Sequence, residues 1–417
     1  LDTTVQTSFH TIGLSEPLLR DLAAAGFLVP TPIQAQAIPP ALAGRDVIGC
    51  AQTGTGKTAA FVIPMIERLA LLPKGQPQAL VLSPTRELAL QIFGTIEQLG
   101  RSHGISATVI VGGSDMQAQI RGLRQRPDIL VATPGRLLDH MWNGTVNLAP
   151  MKFLVLDEAD RMLDMGFALQ INQILDALPL ERQTLLFSAT IPEDVTRLVQ
   201  ASLHGAVHVM IASPSTTAEG VTQVVRYATS HEKEKLLGSL LMAERGTVLV
   251  FARTKSRVDR LGQALEQAGH SVAVIHGDLS LPQRLRALNG FKRGLVRILI
   301  ATDIAARGID VASIGHVVNY DLPNCPEDYI HRVGRTARMK MTGRATSFVT
   351  PEERDQLRAI ETLLGYPVPL AEGSPHPSDG WHLRERVQRP GRDRHRWGRP
   401  GEDRRQHQPN PIGPERI

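Results

Sequence analysis

Eleven short apolar runs, each four or five residues long and rich in Val, Ile and Leu, recur along the 417 residues. Six fall in the first half: Val47–Ala51, Ala79–Leu82, Thr108–Val111, Ile129–Ala132, Phe153–Leu156 and Thr184–Phe187. Five fall in the second: Val248–Phe251, Val272–Ile275, Ile298–Ala301, His316–Asn319 and Ala345–Val349. Runs this short, without polar alternation, fit strands buried on both faces. Helical spacing lies between them, as in Phe61, Met65, Ile66 and Leu69. Strands alternating with helices build an α/β fold with a doubly wound parallel sheet. Two series predict two such domains, at 1–210 and 221–367. The small, polar, Pro-bearing stretch Ile211–Gly220 reads as the linker. The remainder, 368–417, is dominated by Pro, Gly and Arg and is expected to be a disordered tail.

The first run leads into Ala51-Gln52-Thr53-Gly54-Thr55-Gly56-Lys57-Thr58. This is the GxxxxGK[ST] phosphate-binding pattern with Ala at its first position. Glycines let the backbone curl so that Thr53, Gly54, Thr55 and Gly56 turn N–H groups toward phosphate oxygens. Lys57 reaches the β- and γ-phosphates, Thr58 offers a hydroxyl to Mg²⁺, and the following helix adds its positive end. A bound nucleoside triphosphate is the expectation.

In a doubly wound sheet, ligands bind beyond the carboxyl ends of the strands. The residues just after each run are therefore a functional test. The later runs of the first half are followed by Pro84-Thr85-Arg86-Glu87, Gly112-Gly113, Thr133-Pro134-Gly135-Arg136, Asp157-Glu158-Ala159-Asp160 and Ser188-Ala189-Thr190. Small, polar and charged groups gather at one edge every time. Asp157 fits a carboxylate that holds Mg²⁺ through its water shell. Glu158 is the candidate to orient or deprotonate an attacking water.

With Asp160 completing Asp-Glu-Ala-Asp, the chain resembles the DEAD-box ATP-dependent RNA helicases from about Phe9 to Pro367. The resemblance implies two tandem RecA-like domains. Gly26-Phe27-x-x-Pro30-Thr31-Pro32-Ile33-Gln34 is similar to the family's adenine-reading Q motif. It implies that Gln34 reads adenine and that Phe9 stacks on the base, although a lone Phe is more often core. Val250-Phe251-Ala252, Ala301 to Asp310 and Tyr329 to Arg338 resemble the family's motifs IV, V and VI. By that resemblance Asp310 joins the nucleotide site, and Arg335 and Arg338 reach the γ-phosphate as arginine fingers. Asp160, Ser188, Thr190 and His331 are expected to couple the nucleotide to domain closure. Leu281 stands where the family often shows Gln, while the following Arg284 is present.

The resemblance also implies RNA. Expected contacts are Arg86, Gly113, Thr133, Gly135 and Arg136 in the first domain, and Arg253, Thr254, Gly277, Thr302 and Asp303 in the second. Amides, hydroxyls and guanidinium groups suit phosphate and ribose, so binding should be independent of sequence. Aromatic content of 4% offers no stacking platform. The reading is an RNA-stimulated ATPase that remodels short duplexes. A DNA-directed motor and a non-catalytic RNA scaffold are the alternatives.

Charge agrees with a polyanion partner. Net charge is +5, and the stretch 383–417 carries ten Arg against five acids, so the excess lies in the tail. A basic arm for RNA and a solubilising end are equally compatible with that composition. No apolar run approaches the ~20 residues of a membrane span. Cys50 and Cys325 make neither a disulfide framework nor a zinc site. A cytoplasmic monomer is expected, using ATP and Mg²⁺.

Overall fold

A computed structural model describes residues 8–51, 54–211, 220–306, 314–336 and 342–374. Lobe 1 holds a parallel sheet of β1 (Val47–Cys50), β2 (Ala79–Leu82), β3 (Ala107–Ile110), β4 (Ile129–Ala132), β5 (Phe153–Asp157), β6 (Gln183–Ser188) and β7 (Val207–Met210), ordered β3-β4-β2-β5-β6-β1-β7. Lobe 2 holds β8 (Val221–Tyr227), β9 (Val248–Phe251), β10 (Val272–Ile275), β11 (Ile298–Ala301), β12 (His316–Asn319) and β13 (Gly343–Val349), ordered β10-β11-β9-β12-β13-β8. All the predicted runs are strands. Helices cover both faces, and each sheet separates two apolar clusters. The P-loop strand β1 lies between β6 and β7, in register with Leu185 to Ser188. That register sets the P-loop beside Ser188 and the acids that follow β5.

Ser15 caps the helix Glu16–Ala24, and Gly26 follows at φ 81°. Its apolar face, Leu18 and Leu22, is buried. The predicted linker, 211–220, lies almost wholly outside the described residues, as does the tail beyond Ser374.

The predicted start of the tail moves. Residues 368–374 are ordered against the edge strand β8. Val225 N donates to Pro369 O at 2.8 Å and accepts in return through its carbonyl from Ala371 N at 2.8 Å. Tyr227 N donates to Ser374 Oγ at 2.9 Å, and Val368 is buried. An edge strand has unpaired backbone groups on one side, and this short segment satisfies those of Val225 and the N–H of Tyr227.

The helix Leu281–Lys292 belongs to both lobes. Leu288 and Phe291 sit in a lobe 2 cluster, while Leu281 and Leu285 pack against the lobe 1 cluster that holds Leu88. Beside them, the buried Arg284 grips the buried Glu87: NH2 donates to Oε2 at 3.0 Å, and Nε lies 2.8 Å from Oε1. At the position where the family often carries Gln, this chain therefore makes an apolar contact between lobes.

Candidate active site

The P-loop turns as its glycines allow. Gly54 and Gly56 have φ of 85° and 93°, a region costly for any residue with a Cβ. A Cβ on Gly56 would also lie 2.5 Å from Gln34 Nε2. Lys57 opens the helix Lys57–Leu69 and is buried, with Nζ donating to Ala51 O at 2.7 Å. Thr55 and the half-buried Thr58 flank it. Thr53 lies outside the described residues.

Gln34 is tied to this loop. It sits in the helix Pro32–Leu42, which Thr31 caps. Its Oε1 accepts from Thr31 N at 2.9 Å and its Nε2 donates to Gly56 O at 3.1 Å. The amide expected to read a base thus braces the phosphate loop. Phe9 is 3% exposed within the lobe 1 core, the second of its two expected settings.

β5 delivers the acids. Asp157 ends the strand, and its carboxylate accepts from Glu158 N at 3.0 Å. Burial pushes the Asp157 carboxyl up to about 7, against the pull of Lys57 and with the help of Glu158. Glu158 stands at φ 51°, ψ 52°, the left-handed region that side chains seldom adopt. Its Oε2 accepts from Arg161 NH1 at 2.8 Å, and both side chains are buried. Burial would raise its carboxyl, but Arg161, Lys57 and Arg335 outweigh it and hold the group below the ordinary range.

Asp160 is the hub toward β6. Its Oδ2 accepts from Ala189 N at 3.1 Å, Thr190 N at 2.9 Å and Thr190 Oγ1 at 3.1 Å, and its own N donates to Ser188 Oγ at 3.2 Å. Burial alone would raise the Asp160 carboxyl; Lys57, Arg161 and His331 hold it below the ordinary value. Three of the four expected coupling residues, Asp160, Ser188 and Thr190, therefore form one hydrogen-bonded set.

Lobe 2 brings cations to these acids. The helix Pro326–Val333 carries His331 and Arg332, and the buried Arg335 follows it. One small cavity is lined by Arg161, Asp303, His331, Arg332 and Arg335. Burial, and then Arg161, depress the His331 imidazole to about 4, so it is neutral at pH 7. Arg332 forks onto Asp303 through Nε at 2.5 Å and NH2 at 2.7 Å, and its NH1 donates to Asn319 and to the Asp321 carbonyl. It is an internal strut. Asp310 and Arg338 lie outside the described residues.

The expected RNA residues gather at the carboxyl ends of both sheets. A Cβ on Gly113 (φ 72°) would sit 2.2 Å from Arg86 NH1, so the guanidinium fills the space that a side chain there would need. Thr133 caps the helix Pro134–Trp142, which carries Gly135 and Arg136. Arg136 NH1 donates to Ser114 O at 3.1 Å and so ties two of these loops together. In lobe 2, Thr254 caps the helix Lys255–Gln267, and Gly277 and Thr302 follow β10 and β11. Arg253 NH2 is already engaged by Glu353 Oε1 at 2.9 Å and by Leu322 O and Gln356 Oε1 at 3.3 Å. Asp303 is held by Arg332. Sequence patterns do not single out Arg161 or Glu353, and they show Glu87 only as part of the segment after β2, without its partner. The i,i+3 spacing of Glu158 and Arg161 is the one local signal.

Comparison with known proteins places this geometry. Residues 31–198 match the DEAD/DEAH box helicase family, and residues 232–340 match the helicase conserved C-terminal domain. The chain is 45% identical over 358 residues to the DEAD-box ATP-dependent RNA helicase CshA of Geobacillus kaustophilus, covering 85% of this chain and 76% of that protein. It is 44% identical over 356 residues to CshA of Bacillus subtilis, covering 85% and 72%. It is similar in structure to S. cerevisiae Dbp5 bound to RNA and ADP BeF3, with TM-score 0.79, 34% identity and coverage of 91% and 98%. It is also similar to Mss116p bound to ssRNA and AMP-PNP, with TM-score 0.82, 26% identity and coverage of 94% and 84%.

Proposed function

This chain belongs to the DEAD-box family of ATP-dependent RNA helicases, and on that premise we propose how its residues divide the work. Lys57 and the P-loop amides hold the triphosphate of ATP. Glu158 orients the attacking water and accepts its proton, while the water oxygen adds to the γ-phosphorus and the bond to the β-bridging oxygen breaks. Arg335 and Arg338 offset charge building on the transferring phosphoryl group. Asp160, Ser188, Thr190 and His331 pass the state of the nucleotide to the lobe contact, and closure grips RNA along Arg86, Gly113, Arg136 and Thr254.

The observation that carries this reading is the meeting of charge between lobes. Glu158, buried just beyond the end of β5, is held below the ordinary carboxylate range in part by Arg335, from the other lobe. A catalytic set completed by two lobes turns over only when both are together.

The donor set suits Mg²⁺. Asp157 is a carboxylate whose burial raises its pKa in spite of Lys57, and the Thr58 hydroxyl lies at the start of the P-loop helix. Both are hard oxygen donors. Among the described residues no cluster of three His, Cys, Asp or Glu could hold a metal alone, as fits an ion bound largely by phosphates and water. When bound, Mg²⁺ would neutralise phosphate charge. Among the described residues no helix is long and apolar enough to cross a membrane. We place the activity in the cytoplasm, carried out by a monomer, with the Arg-rich tail adding RNA affinity.

The test is ATP hydrolysis by the full chain without nucleic acid, with RNA and with DNA. Low basal turnover, raised by RNA alone, is expected. Equal stimulation by DNA would favour a DNA-directed motor. No turnover under any condition would favour a scaffold.

A further inference from the structure

We propose that Arg161 is a positioning residue for hydrolysis: it clamps one oxygen of Glu158 so that the other faces the water. The inference rests on Glu158 acting as the group that orients that water. Three observations carry it.

The clamp is short and dry. Arg161 NH1 lies 2.8 Å from Glu158 Oε2, and the two side chains are 3% and 6% exposed. In water an i,i+3 ion pair contributes little. Away from water it fixes a rotamer, because neither group has solvent as an alternative partner.

The backbone of Glu158 does not fix that rotamer by itself. At φ 51° it lies outside the helix it precedes and caps. Left-handed backbone at a non-glycine residue persists where its surroundings enforce it. Here Asp157 holds the Glu158 amide and Arg161 holds the carboxylate. Both ends of the residue are restrained, and Oε1 is left to accept from water.

Arg161 is also tied to the moving parts. Its amide donates to Asp160 Oδ1 at 3.0 Å, and Asp160 carries the bonds to Ala189 and Thr190. Its side chain lines the interlobe cavity with His331 and Arg335. The residue that aims Glu158 is therefore in contact with the residues that report closure. Neutralising a buried carboxylate would be a simpler role, and it predicts a different mutant pattern.

The experiment is a double-mutant cycle on RNA-saturated ATP hydrolysis by the full chain, with Glu158→Gln, Arg161→Gln, the pair, and Arg161→Lys. Arg161→Gln should lower kcat by roughly 10- to 100-fold, while KM for ATP and the half-saturating RNA concentration stay within about 2-fold. Arg161→Lys should recover most of that loss. In the Glu158→Gln background, Arg161→Gln should cost nothing further, because the carboxylate it aims is gone. A loss of equal size in both backgrounds, an unchanged kcat, or a loss confined to KM would overturn the proposal. Full turnover by Glu158→Gln alone would overturn the role of Glu158 itself, and this one with it.

Discussion

Lobe 2 repeats the strand order of lobe 1, with β10-β11-β9-β12-β13-β8 standing in the places of β3-β4-β2-β5-β6-β1. The correspondence extends to side chains. Lys57 begins the helix after β1, and Lys233 lies in the first turn of the helix Glu232–Ala243, after β8. Asp157 ends β5, and Asp321 follows β12. In lobe 1 a glycine loop separates strand from lysine. In lobe 2 the connection is Ala228-Thr229-Ser230-His231, without glycine, and Glu232 closes it by accepting from Thr229 N and Oγ1 at 2.9 Å. Lys233 Nζ then turns inward, 2.8 Å from Glu353 and 3.4 Å from Asp321, all three buried. The shared topology sets a lysine opposite a carboxylate in both lobes. In the function proposed above, glycines leave Lys57 available to a phosphate, whereas Lys233 settles into an ion pair.

The comparison breaks most visibly at the lysines. Lys57→Ala should abolish RNA-stimulated ATP turnover, by about 10³-fold or more. Lys233→Ala should act the other way. It leaves Asp321 and Glu353 without their shared cation but still paired to Arg257 and Arg253 at 2.6 and 2.9 Å, so the loss of stability should lie at the low end of the ~3–5 kcal/mol for breaking a buried ion pair. KM for ATP should be unchanged wherever that variant is folded. Loss of ATP turnover in a stable Lys233→Ala protein would end the parallel.

Acidity separates the lobes next. Without nucleotide, two buried groups titrate against each other. The His331 pKa falls to about 4, below its unfolded value near 6.5. Its contribution is complete above pH 6.5 and is lost as the pH falls toward 4, since the unfolded chain binds the extra proton. The Asp157 pKa rises to about 7, above the unfolded carboxylate. Its contribution is complete below about pH 4 and is lost as the pH rises through 7. The slopes oppose, so the apo melting temperature should vary little between pH 5 and 7. His331→Gln should unmask a fall with rising pH, and Asp157→Asn a rise, each of a few degrees. Parallel profiles for the two variants would show that these groups do not set the balance.

The same physics decides which parts of the molecule are legible in its sequence. Nine of the eleven visible runs are interior strands, continuous and apolar, and the edge strands β3 and β10 stand out because they are apolar too. The edge strands β7 and β8 do not, because they carry residues such as His208, Thr222 and Arg226. Motif residues such as Lys57, Glu158 and Arg335 are visible because the phosphate chemistry proposed for them demands fixed residue types at fixed spacing. Their partners are not. Glu87 meets Arg284 across 197 residues, and Lys233 meets Glu353 across 120. No local pattern carries such a pairing. Gln34 teaches the converse: its residue type is legible, but not that its amide is spent on Thr31 and Gly56.

The smallest expected effect tests the finest part of the comparison, the two threonine caps. Thr85 Oγ1 accepts from Leu88 N at 3.3 Å after β2, and Thr254 Oγ1 accepts from Arg257 N at 3.2 Å after β9. Their backbones nearly coincide, at φ −130°, ψ 153° and φ −124°, ψ 150°. Either Thr→Ala change should cost about 1 kcal/mol of stability. The double variant should cost the sum, since the caps serve different lobes. RNA affinity should separate them, because Thr85 is buried while Thr254 is exposed. Only the exposed hydroxyl has room for a phosphate oxygen. Thr254→Ala should therefore weaken RNA binding several-fold, Thr254→Ser should restore it, and Thr85→Ala should leave it alone. Equal losses from both alanines would mean that the caps serve RNA only by aiming their helix ends.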